Sequence, residues 1–213
     1  VLDAHISSLP MVQVPDVWPP ATGPDAHAWV KQNLKSGTVD KADFTLYFTG
    51  GELVNLYGEM PVRGVRVDYL SPMKPVDDFA GLVRLYPDKV LISGTQGRVG
   101  NLNLTTAQVD LLNLQDEIAQ ADIRLNVAGP VAEALDLIAQ KPLEFPQLFG
   151  IDPAKTGGNA TVQVDLKFPL IEDLNQNQVR VKTKAAITSG VFPTPAAAYR
   201  LENGVLNLVV DNN

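Results

Sequence analysis

Lys155-Thr156-Gly157 and Ser71-Pro72-Met73-Lys74 match, by residue type, the Lys-Thr-Gly and Ser-x-x-Lys signatures of serine acyl-enzymes, where a lysine beside the serine hydroxyl assists acyl transfer. That chemistry needs the serine to open a helix, so that the lysine lies one turn later on the same face. Pro75 disfavours helical backbone at Lys74, and Pro72 follows the serine directly, so this stretch reads as an extended or turn segment. No Ser-Asp-Asn triplet lies between the two matches. The triplet at 155–157 is expected to mark the start of a strand, not a catalytic site.

Other chemistry-bearing groups fail on similar grounds. Asp173, Asn175 and Asn177 have the spacing of the first half of a calcium loop, but Gln178 stands where a glycine is needed and Lys184 where a bidentate glutamate belongs. A polar hairpin tip is expected there. Gly94, Gly97 and Gly100 lack the Lys-Ser/Thr ending and the following helix of a phosphate cradle, and read as turn glycines. His5 and His27 are the only histidines, and neither has carboxylates at ligand spacing. Asp77 and Asp78 are adjacent, so their side chains point apart and cannot act as an acid–base pair. The chain has no cysteine, which removes thiol nucleophiles, thiolate metal sites and disulfides. No catalytic residue, metal site or cofactor is expected.

The background is that of a globular β protein. Of 213 residues, 45% are hydrophobic and 19% charged, enough to bury a core. Seventeen basic against 24 acidic residues give a net charge of −7, which opposes binding to phosphate backbones, so no nucleic-acid partner is expected. No run reaches the roughly 20 apolar residues of a membrane-spanning helix. Strand-like text at both ends suggests a piece of a longer protein.

Period-two alternation dominates. Val162, Val164, Leu166 and Phe168 alternate with Thr161, Gln163, Asp165 and Lys167, which predicts a strand with one wet face. Ile123, Leu125 and Val127 repeat the pattern, as do Val179 and Val181, and weaker versions run through Phe44 and Leu46, Val65 to Tyr69, Leu102 to Leu111 and Val205 to Val210. Two short amphipathic helices interrupt it. One lies near 24–36, with Ala26, Trp29, Val30 and Leu34 on one face and Gly37 as its stop; the other lies near 130–140, with Val131, Ala134, Leu135 and Ile138 on one face. The expected fold is mainly β, with antiparallel meander sheets forming an open, curved groove. The expected organisation is a first β unit over 1–141, a joint over 142–157 and a second, truncated β unit over 158–213.

Trp29 to Val39, Gly64 to Tyr69, Gly129 to Leu135, and Gly150 to Pro153 leading to Phe168-Pro169-Leu170 occur in an order that resembles the periplasmic region of AsmA-like proteins of the YhdP type. The resemblance implies a non-catalytic segment of a long Gram-negative envelope protein, anchored by its parent in the inner membrane, whose groove carries phospholipids toward the outer membrane. Combined with the alternation, it makes Phe44, Leu46, Ile123, Leu125, Val127, Val162, Val164, Leu166, Phe168, Val179 and Val181 the candidate contacts for phospholipid acyl chains. The alternative is a closed β-sandwich acting as a structural or protein-interaction module of the envelope. The terminal strands, lacking guard residues, are expected to associate edge to edge.

Overall fold

In the computed structural model, residues 1–18, 24–140, 152–171, 173–193 and 200–211 are described. Ten strands form one antiparallel sheet in sequential order: β1 (Leu2–Pro10), β2 (Leu34–Thr49), β3 (Glu52–Val67), β4 (Val76–Leu85), β5 (Val90–Val99), β6 (Leu102–Leu112), β7 (Gln120–Pro130), β8 (Gly157–Pro169), β9 (Arg180–Pro193) and β10 (Arg200–Asp211). β1 and β10 are the two edges, so the sheet is an open meander and not a barrel. A sandwich requires a second sheet, whereas every strand among the described residues belongs to this one. β7 and β8 pair at eleven positions, from Gln120↔Pro169 to Pro130↔Asn159, so the sheet continues across the 142–157 region; residues 142–151 lie outside the described part.

The turns follow from their residues. Gly50 and Gly51, at φ 63° and 89°, make the two-residue link between Thr49 and Glu52 that positive φ requires. The Lys-Thr-Gly triplet falls where β8 starts, with a short 3-10 turn at Pro153–Lys155 just before it. Asn175 and Gln178 close another 3-10 turn at Gln176–Gln178 in the β8–β9 connection, as expected of a polar hairpin tip.

Three helices lie at one end of the strands: α1 (Val14–Val17), α2 (Pro24–Asn33) and α3 (Val131–Ile138). α1, preceded by a 3-10 turn at Met11–Gln13, was not foreseen, since four residues are too few to show a period. α2 differs from expectation in its face. Ala26 and Trp29 are exposed while His27 and Val30 are partly covered, because His27 Nε2 donates to the Pro15 carbonyl at 3.0 Å and its ring meets Trp18 edge-on. The helix stops at Asn33, and Leu34 already belongs to β2. Gly37 is not the stop: it lies in β2 at φ 111°, where a Cβ would come within 2.7 Å of the Val65 Cα.

A second correction concerns Gly94 and Gly97, which lie inside β5; only Gly100 is in a turn. Their role is packing. A Cβ at Gly94 would sit 2.5 Å from the Phe79 ring, and one at Gly97 would sit 3.1 Å from Leu104. The missing side chains let a ring from β4 and a leucine from β6 lie down on β5.

Candidate functional site

Directly opposed residues in an antiparallel pair share a face, and so do residues two apart along a strand. The registers therefore trace rows across the sheet. One row runs Leu9–Val39–Val62–Gly81–Gly94–Ala107–Leu125–Val164–Thr183, from β1 to β9 without a charged residue. A second runs Met60–Val83–Ile92–Val109–Ile123–Leu166–Val181. A third links Ala4, Phe44, Gly58, Leu85, Val90, Leu111, Ala121 and Phe168. At a strand spacing of about 4.8 Å, the first row is roughly 38 Å long.

The opposite face is a charge lattice. Arg84 pairs with Glu59 at 2.9 Å, Arg124 with Asp110 at 3.0 Å and Lys167 with Asp122 at 2.7 Å. The Arg84 guanidinium holds the Glu59 carboxyl below its ordinary range, and the hydrogen bond to that carboxylate pushes the Tyr57 phenol up. Arg124, Lys167, Arg180 and Lys182 line a shallow recess together with Asp122 and Asp165, so the two acids offset only part of the basic charge there.

Cover on the apolar face is unequal. At its β1–β4 side, Met11 and Val14 pack on Val39, Ala42, Val62 and Val65, with Phe44, Met60 and Phe79 drawn into the same cluster. At its β8–β9 side, Val131 of α3 is buried with Ala160 and Ile187, and Leu135 and Val162 pack beside them. Between these covers, Ile92, Val109, Ile123, Leu125, Val164 and Leu166 are only half-buried. Among the described residues, neither packed cluster reaches these side chains, which shield one another along the rows. Ten open strands are near the size at which a twisted sheet curls.

Of the eleven candidate contacts, Leu46, Ile123, Leu125, Val127, Val162, Val164, Leu166 and Phe168 share this face and are partly exposed. Phe44 shares the face but belongs to the packed cluster, its ring lying over Gly58 where a Cβ would come within 2.7 Å. Val181 is buried, at 7% exposure, and Val179 precedes β9 in the connection. Val83, Ile92 and Val109 lie on the same face and were not among the candidates. Leu82, Leu91 and Leu112 fall on the other face and blur the alternation of β4, β5 and β6, though Val90/Ile92 and Val109/Leu111 still carried it.

The acyl-enzyme groups are dispersed into structural contacts. Lys74 directs its ammonium to Glu133 at 3.2 Å and Asp136 at 2.9 Å, and Lys155 pairs with Asp152 at 3.1 Å. Asp77 and Asp78 do point apart, to Arg66 and Arg98 respectively. Among the described residues no cluster of His, Cys, Asp and Glu could hold a metal ion, and no helix is long and apolar enough to cross a membrane.

These features define a class: an open, all-antiparallel sheet with one charged face and one apolar, incompletely covered face. A family model described as YhdP protein matches residues 1–213, and the chain belongs to that family. The family is one of bacterial envelope proteins connected with lipid transport, and it is generally non-catalytic. No curated protein and no solved structure matches the chain.

Proposed function

We propose that the chain is a non-catalytic segment of a bridge-like lipid transfer protein that works in the periplasm of a Gram-negative bacterium, its parent anchored in the inner membrane. The open apolar face is the carrier surface, a trough in which phospholipid acyl chains lie between inner and outer membrane. The observation that carries this reading is the charge-free row from Leu9 to Thr183, with the half-buried aliphatic side chains of β4 to β8 beside it.

The energetics suit carriage. About sixteen methylenes at about 0.8 kcal/mol each offer roughly 13 kcal/mol before ordering costs, enough for reversible holding without a headgroup pocket. A surface built from aliphatic rows does not distinguish one position along the row from the next, so a chain can slide. Native mass spectrometry of the chain purified from bacterial cells tests the reading. Phospholipid masses travelling with the folded protein are expected. A chain that stays free of lipid after incubation with phospholipid vesicles overturns it.

A further inference from the structure

α3 is held to the rest of the protein on two sides. Val131 and Leu135 pack on Ala160, Val162 and Ile187, the apolar face of β8 and β9. Glu133 and Asp136 are gripped by groups from elsewhere in the chain. Lys74, in the β3–β4 connection, donates to both carboxylates, and Asn101, in the β5–β6 turn, donates to Glu133 at 2.9 Å. The turn is shaped for this crossing, since a Cβ at Gly100 would sit 3.1 Å from the Glu133 carboxylate and 3.5 Å from the Lys74 stem. Both carboxylates draw the Lys74 amine upward from its ordinary range, Asp136 most, and Lys74 holds Glu133 below its own.

Resting on the trough reading above, we propose that α3 is a strap over the rim of the trough and that Lys74 is its latch. Closed, the strap occupies the apolar face at Ala160, Val162 and Ile187. Released, it exposes those side chains to an acyl chain passing along the rows. The latch is polar and side-chain Lys74 is 37% exposed, so it can open without unfolding the sheet. The hydrophobic packing of Val131 alone would hold α3 in place but would not tie it to β3–β6.

Losing two partly exposed ion pairs is expected to shift the open-to-closed ratio on the order of threefold to tenfold. The test uses exchange of a pyrene-acyl phosphatidylcholine from phosphatidylcholine vesicles onto the 213-residue chain. Lys74→Met should speed exchange by about that factor while the sheet keeps a cooperative thermal unfolding transition, its midpoint lowered only by the loss of the two ion pairs. Because the chain has no cysteine, Lys74→Cys with Asp136→Cys can be joined specifically by a short bis-maleimide, and the joined protein should exchange more slowly than wild type. The unjoined double variant should behave like Lys74→Met. Lipid loading with equal rates in wild type, Lys74→Met and the joined and unjoined double variants refutes the strap while leaving the trough standing. No loading in any of them, wild type included, overturns the trough and the strap with it.

Discussion

Val164→Asp separates an open apolar face from a filled core. Val164 lies in the longest row, opposite Leu125 on β7 and Thr183 on β9, and all three are half-buried. Full burial of a valine is worth about 1.5–3 kcal/mol, so half-burial forfeits about 1 kcal/mol on substitution. The new carboxylate keeps water on its open side and avoids most of the penalty of an unpaired buried charge. Destabilisation of about 1–2 kcal/mol is expected, tolerable against the 5–15 kcal/mol typical of folded domains. Lipid is affected far more. About four methylenes forced off the surface cost roughly 3 kcal/mol, or about a hundredfold in retention. Urea unfolding and native mass spectrometry on the same preparation read both quantities. A protein that unfolds outright shows that Val164 is sealed in a core, and one that keeps its fold and its lipid shows that the acyl chains lie elsewhere; either result refutes the reasoning.

Gly94→Val should destabilise the sheet by about 1–3 kcal/mol in urea, because its Cβ meets the Phe79 ring and Ala107 with no room to retreat. Stability should be flat at neutral pH and fall as the pH drops below about 4.5, because Glu133 and Glu59 have folded-state pKa values depressed from that ordinary value, so the folded state resists protonation. Glu133→Gln should make that acid limb shallower, measured as urea midpoints across a pH series at low salt. The unpaired edge of β10, with Val205 77% and Val209 64% exposed, should drive concentration-dependent association in light scattering, and Val205→Lys should return the protein to monomer. A strict monomer at high concentration removes the edge-association expectation.

What the sequence determined by itself were features whose cause is local. Alternate side chains of an extended strand point to opposite faces whatever they pack against, so Val162, Val164, Leu166 and Phe168 announced an apolar face and Thr161, Gln163, Asp165 and Lys167 a wet one. Pro75 acts on the backbone of its own neighbour, so the Ser71–Lys74 match was dismissible on sight. The family order of landmarks was legible as well. Tertiary structure decided whatever depends on a distant partner. Gly94 and Gly97 read as turn residues because nothing nearby tells that Phe79 and Leu104 will occupy their faces. The inward face of α2 was set by Pro15 and Trp18, not by its own apolar spacing. One sheet or two was a matter of which strands pair, and β7 meets β8 only after the chain has gone out through α3 and returned. Lys74 and Glu133, fifty-nine residues apart, meet for the same reason: an ion pair has no period along the chain, and only the folded sheet brings its two halves to one rim.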